Sequence, residues 1–393
     1  MAPTDVVSWL LDTDPSLRWQ VERDLLDQPA EVWEATRARI PHEGFGARSL
    51  DHQDPETGLW AGGAFFPAGF FDAPENLEPP GQPWTATTWS LTTPREWGMD
   101  PAPLVERDTA AKLAEHAHWE HDPSLPYWGG EVDCCINAMT LANGLWLGAD
   151  VSALPRWFLA HRMDEGGWNC EWEDGSTRAS FHSTLNVLRA LHVHEQATGG
   201  SPVARAARGE AEEYLLRRRL MRRASTGEIV GPWVEHFLYP PRHIYSAAAG
   251  ARPLPRAGSA RSADGRRRPV RPRRAQEDGT WLQRHRLPGA VWFEVDVPVG
   301  EPSPWLTLQA PRGSCAGGAR AEPTARSGGV ADHSSITVSA LRANPPRPPL
   351  GEGYCAGHPC AGALDHIPAR PLHGITTPDA DRPPGGPRCS TPP

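Results

Sequence analysis

The sequence predicts an all-α protein, on three observations. Hydrophobic periodicity is helical: Phe181, Leu185, Leu188 and Leu191 recur at the i, i+3/i+4, i+7 spacing of an amphipathic helix, and Ile136, Met139, Asn143 and Trp146 do the same with one polar interruption. Strict alternation long enough for a strand occurs only from Val291 to Val297. Candidate helix starts also recur, each after a loop, at Arg18, Trp84, Asp133, Phe181, Arg242 and Pro304, spaced 66, 49, 48, 61 and 62 residues apart. That interval suits a helical hairpin with its loops, and hairpins of this size stack into solenoids or rings, so six starts suggest six hairpins.

Composition bounds the rest. The chain has 393 residues, 39 Lys+Arg against 48 Asp+Glu and a net charge of −9. No stretch approaches the ~20 apolar residues of a membrane-spanning helix. Met1–Asp14 is acidic, with no basic lead of a signal peptide. Seven cysteines, an odd number, argue against a disulfide framework and for a reducing, cytoplasmic setting.

The averages hide a split. Residues 1–245 carry 36 acids and 20 bases, whereas residues 246–275 carry nine arginines and one acid. Residues 246–275 and 311–393 hold one of the 31 aromatics, Tyr354, and the last 83 residues contain 15 prolines. Segments of this composition bury too little apolar area to offset chain entropy and are expected to be disordered. They read either as a basic linker with a Pro-rich tail or as GC-rich DNA translated out of frame. The single lysine, Lys112, against 38 arginines, fits a GC-rich coding sequence.

Three loops set a tight glycine turn before a tryptophan: Gln53 to Gly58-Leu-Trp60, Gly166-Gly-Trp168, and Gln276-Glu-Asp-Gly279-Thr-Trp281. Glycine permits the turn and the indole packs over it, with a glutamine in two of the three able to cap a helix end. These motifs are similar to those of the squalene cyclase and prenyltransferase repeat superfamily. The chain resembles the actinobacterial squalene cyclase-like proteins through Leu17-Arg-Trp-Gln-Val21, Gly81-Gln-Pro-Trp-Thr-Ala-Thr-Thr-Trp89, Gly166-Gly-Trp-Asn-Cys-Glu171 and Pro240-Pro-Arg242. The resemblance covers about residues 1–245 and 276–310. It implies an α/α toroid over 1–310, incomplete in its fifth and sixth hairpins because the family's helix after Pro-Pro-Arg does not continue past Ser246, followed by a disordered tail over 311–393.

The residues that carry chemistry are few. Asp133, Cys135 and His182 offer a carboxylate, a thiolate and an imidazole, a donor set that suits Zn²⁺ and leaves a position open. They resemble the Asp-x-Cys…His zinc site of protein prenyltransferase β-subunits, with Cys170 as a replacement or fourth ligand, and a zinc there would activate a thiol or water. Against this, a cysteine is often a small buried hydrophobe. Trp84, Trp89, Tyr127, Trp128 and Trp168 are expected to line an isoprenoid pocket in such a ring, or else to serve as packing residues, with Arg242 or the arginines of 217–223 as counter-charge to a diphosphate. The run Arg217–Arg223 follows Glu210, Glu212 and Glu213 on one expected helix, an order that suits the helix dipole. Gly265-Arg-Arg-Arg268 lacks interleaved aromatics, so no nucleic-acid partner is expected. The Cys355, His358 and Cys360 grouping is taken as chance in a tail of that composition.

No Asp-x-Asp-Asp cyclase acid is present, nor a Gly-rich phosphate loop or a Gly-x-Ser-x-Gly elbow. The resemblance thus implies a prenyltransferase-like or terpene cyclase-like protein that holds an apolar, isoprenoid ligand. Its alternatives are a non-catalytic helical-ring scaffold and the inactive product of a frameshifted gene.

Overall fold

The computed structural model describes residues 3–73, 76, 82–246 and 275–310. The expectations for residues 247–274 and 311–393, including the arginine run 266–268 and Cys355, His358 and Cys360, lie outside the described residues. What is described is helical, with isolated bridges and no strand among the described residues. Residues 291–297, where alternation suggested a strand, form none.

The helices are α1 (Pro3–Leu11), α2 (Pro15–Asp24), α3 (Ala30–Ala38), α4 (Gly44–Asp51), α5 (Thr87–Trp97), α6 (Ala102–Glu106), α7 (Thr109–His116), α8 (Cys134–Leu147), α9 (Leu154–Ala160), α10 (Phe181–Thr198), α11 (Pro202–Arg217) and α12 (Pro304–Gln309). Their ends follow local chemistry. Asp14 caps α2 by accepting the Ser16 N–H at 2.8 Å, and its other oxygen accepts the Phe45 N–H at 2.7 Å. Gly44 has φ +62°, and a Cβ there would lie 1.9 Å from Asp14 Oδ2, so only glycine lets α4 start against that carboxylate. Ser180 caps α10, and Gly199 ends it in the left-handed region.

Burial follows the sequence periodicity. Phe181, Leu185, Leu188 and Leu191 are all buried, each contributing roughly 1.5–3 kcal/mol of transfer free energy. Helix α8 is buried on nearly every side, from Cys134 through Gly144 and again at Leu147. Its asparagines are therefore obliged to find partners. Asn137 donates to the Glu131 carbonyl at 2.6 Å and accepts the Glu131 N–H at 2.7 Å, while Asn143 donates to the Thr88 carbonyl and to Thr92 Oγ1.

Helix α10 packs most extensively on α8, α8 packs on α5, and α5 touches α2 and α4; α9 and α11 lie against α8 and α10 respectively, and α12 lies against α2. A main hydrophobic cluster runs through α5, α8 and α10. A second joins Leu10, Leu17, Val21 and Trp97 to Tyr239, Trp305, Leu306 and Leu308.

Two glycine-turn tryptophans dock in the same way. The indole Nε1–H of Trp60 donates to the Ser49 carbonyl and that of Trp168 to the Phe158 carbonyl, both at 2.8 Å, anchoring each turn on the preceding helix. In all three turns the tryptophan backbone N–H donates to a threonine hydroxyl on the following helix: Trp60 to Thr87 at 3.1 Å, Trp168 to Thr184 at 3.1 Å and Trp281 to Thr307 at 2.9 Å. Gln53 reaches forward, donating to the Gly58 carbonyl and to Thr109 Oγ1 at the start of α7.

The expected helix starts fare unequally. Asp133, Phe181 and Pro304 stand at the starts of α8, α10 and α12, but α2 begins at Pro15 and α5 at Thr87. Residues 242–246 are not helical. The arginine run does not lie on one helix either, because α11 ends at Arg217 and the chain turns with positive φ at Arg219 and Leu220. Arg218 there pairs with Glu165 and lies over the Tyr214 ring, while Glu212 pairs with Arg208.

Candidate functional site

Three of the expected ligand-contacting residues come together, and they come from distant parts of the chain. Trp84 and Trp89 meet edge to face with centroids 4.8 Å apart, and the His243 ring lies 6.0 and 5.8 Å from them. The Arg242 guanidinium carbon sits 5.2 Å from the Trp84 ring centroid, and its Nη1 donates to Thr93 Oγ1 at 3.2 Å. Trp84 is fixed from the far end of the chain: its indole donates to the Pro288 carbonyl and its backbone N–H to the Ala290 carbonyl, both at 2.8 Å.

Arg242 is half-buried and has no carboxylate within ion-pairing distance among the described residues. Burial pulls its pKa down to about 10, only partly opposed by Tyr239 and Glu96, so it remains a cation at neutral pH. Its φ of +52° is strained for a residue with a Cβ. Beside it on the α5 face, Thr93 is half-buried, while Arg95, on the opposite side of α5, donates from Nε to Asn143 Oδ1 at 2.9 Å. The indole N–H of Trp89 is buried without a partner. The place thus offers aromatic faces, a cation without an acid partner and an unused donor.

The other expected aromatics lie elsewhere. Tyr127 and Trp128 pack on each other at 4.7 Å; the Tyr127 hydroxyl bonds Thr88 at 3.0 Å and the Trp128 indole donates to the Ala110 carbonyl. They border a shallow apolar hollow of about 370 Å³ with Ala110, Ala111, Ala114 and Ala149. Trp168 is fully buried against Phe158. All five aromatics are buried, and four of their five polar ring atoms have partners, the Trp89 indole N–H being the exception.

The expected zinc ligands divide. Asp133 and Cys135 join Cys170 and Cys134 at the start of α8. The Cys134 thiol donates to the Asn169 carbonyl and that of Cys135 to Ser183 Oγ. Burial and then Cys170 push the Cys134 pKa well up, Cys170 and then burial do the same to Cys135, and the two neighbouring thiols hold that of Cys170 well down. Cys170 also accepts from Ser183 Oγ at 3.3 Å and from the Cys135 N–H at 3.4 Å. Asp133 is held well above the usual carboxylate range, first by burial and then by Cys170, and its Oδ1 is buried without a partner.

His182 does not join them. Its Nδ1 accepts the Tyr245 N–H at 2.8 Å, and its ring lies 4.3 Å from the Trp233 ring. The reason is helical geometry: Ser183, the next residue on α10, is the one turned toward Cys170, and consecutive helical residues point about 100° apart. Burial, reinforced by His243, lowers the His182 pKa to about 3. Among the described residues no group of three or more His, Cys, Asp or Glu side chains is arranged to hold a metal ion. Asp133, Cys135 and His182 are therefore not gathered into one ligand set in this arrangement.

Sequence reasoning missed His243, Ser183, Asn186 and Glu131. Asn186 donates to the His243 carbonyl at 2.8 Å and to Cys135 Sγ at 3.5 Å, tying the two clusters together. Its i, i+3 spacing from Ser183 was the only signal available. No helix among the described residues is long and apolar enough to cross a membrane. Comparison of the chain with family models, with curated proteins and with solved structures finds no match.

Proposed function

We propose that the chain is a ring of helical hairpins of the squalene cyclase and prenyltransferase type that binds an apolar, isoprenoid ligand carrying a phosphate or diphosphate. The successive contacts of α2, α5, α8 and α10, with α12 returning to α2, support the ring. The observation that carries the ligand reading is Arg242: a half-buried cation without a carboxylate partner among the described residues, laid over Trp84 beside Trp89. A guanidinium so placed matches phosphate oxygens, and the two indoles match an unsaturated hydrocarbon chain. Protonation-initiated cyclisation is left out because the chain lacks the Asp-x-Asp-Asp acid. Zinc is left out because His182 is engaged by Tyr245.

The test is calorimetric titration of the full chain with farnesyl diphosphate and with farnesol. The diphosphate is expected to bind more tightly than the alcohol, and Arg242→Gln to weaken the diphosphate at least about tenfold, equivalent to ~1.4 kcal/mol, while leaving the alcohol unchanged. Absence of binding by both ligands in a chain that melts cooperatively would reject the reading. The non-catalytic scaffold would then stand in its place, a view favoured by the burial of all five expected aromatics.

A further inference from the structure

The cysteines at the start of α8 hold a second arrangement that ligand binding does not use. Cys134 and Cys135 open α8, and Cys170 opens a short turn just before α10, 35 residues further along. The Cys170 sulfur is 3.4 Å from the Cys135 amide nitrogen and 3.3 Å from Ser183 Oγ, and the same hydroxyl is 3.6 Å from the Cys135 sulfur. Adding an N–Cα bond of about 1.46 Å puts the Cys135 Cα within about 5 Å of the Cys170 sulfur. The Cys135 Cα thus lies close enough to the Cys170 sulfur for a change of side-chain rotamer at Cys135 to carry its own sulfur toward it. Cys134 is placed differently, with its thiol directed at the Asn169 carbonyl at 3.4 Å. The surroundings also favour a thiolate at Cys170: a hydroxyl and an amide N–H point at it from the first turns of two helices, where the backbone dipole favours negative charge.

We propose that Cys135 and Cys170 form a reversible disulfide, making this cluster a dithiol oxidised by hydrogen peroxide. The Cys170 thiolate attacks one peroxide oxygen, the O–O bond breaks, and hydroxide leaves as water with the Cys135 proton. Cys170 is then a sulfenic acid. The Cys135 thiolate attacks that sulfur, the S–S bond forms, the S–O bond breaks, and the departing hydroxide takes up a proton as a second water. Overall, two thiols and one peroxide give one disulfide and two waters. Both residues are nearly buried, Cys135 being 7% and Cys170 5% exposed, which favours a small oxidant over a bulky one such as glutathione disulfide. The bond would tie the start of α8 to the turn that leads into α10.

The experiment uses the full chain, reduced, freed of reductant and treated with one equivalent of hydrogen peroxide. Free thiols are then alkylated and the digest is mapped by mass spectrometry without reduction. The expected result is loss of two of the seven thiols, a linked peptide with fragment ions assigning the bond to Cys135 and Cys170, and recovery with dithiothreitol. Glutathione disulfide is expected to produce no such link. Cys134→Ser is expected to keep the bond. The proposal is overturned if all thiols remain alkylatable, if the bond joins Cys134 or a cysteine beyond residue 310, if Cys170 passes to sulfinic acid without a bond, or if Cys134→Ser abolishes it. The wild-type map stands whether or not a variant folds.

Discussion

The backbone N–H of Trp168 donates to the Thr184 hydroxyl 3.1 Å away, and the hydroxyl lies 3.4 Å from the carbonyl of the same tryptophan. A single side chain one turn into α10 thus satisfies the turn that precedes it. Thr87 and Thr307 likewise accept the backbone N–H of Trp60 and of Trp281, so the repeat is a hydrogen-bonding unit as well as a spacing.

Replacing Thr184 with valine keeps the shape and leaves a buried N–H without an acceptor. Urea denaturation is expected to show a loss of about 1–3 kcal/mol, and Thr184→Ser a smaller one. A loss equal for both variants would mean that the methyl group, not the hydroxyl, holds the turn.

Arg208 is 2% exposed and pairs at 2.9 Å with both Glu195 and Glu212, whose side chains are 24% and 22% exposed. Removing the arginine leaves carboxylates that water can still reach, so the cost falls below that of stranding a fully buried charge. Arg208→Ala is expected to destabilise by about 1–2 kcal/mol, part of it from lost packing of the side-chain stem. Glu212→Gln should cost less, and thermal melts at low and high salt would separate the charge from the packing.

Glu131 is buried, and that burial raises its pKa to about 7 from an ordinary 4.5, with Cys170 and Glu120 adding to the rise. The folded state therefore holds a proton that the unfolded chain releases, and stability falls as pH rises from about 4.5 to 7. Glu131→Gln, which keeps an acceptor for the Val132 N–H at 2.8 Å, should match the wild type near pH 4.5 and exceed it at pH 8 by up to about 3 kcal/mol. Denaturant melts at the two pH values would check this; equal gains at both would refute the ionic explanation.

His182 runs the other way. Its folded pKa of about 3 lies below the ordinary 6.5, because burial disfavours the imidazolium. Its contribution is present above pH 6.5 and is lost as pH falls toward 3. Since Nδ1 accepts the Tyr245 N–H, the ring proton belongs on Nε2. Nitrogen-15 spectra of the histidine rings should show one ring as a neutral Nε2–H tautomer at pH 5, and Tyr245→Pro, which removes the donor, should release it.

The sequence by itself determined the elements whose causes are local. The stripe Phe181, Leu185, Leu188 and Leu191 is buried as its spacing required, and the three glycine turns before tryptophan are turns because few other residues tolerate that backbone. Even the repeated threonines were visible as the fourth residue of the Trp84, Phe181 and Pro304 segments, although their partners were not. Only the tertiary structure decided which side chains meet across the chain. It set Arg242 over Trp84, placed Cys170 beside Cys135, and turned His182 to Tyr245 while its neighbour Ser183 took the place at the sulfur. The physical reason is one of range. Periodicity and turn chemistry act over a few residues of chain, whereas a rotation of about 100° between adjacent helical positions decides which residue faces a partner, and that rotation is settled by packing against segments 35 to 149 residues away.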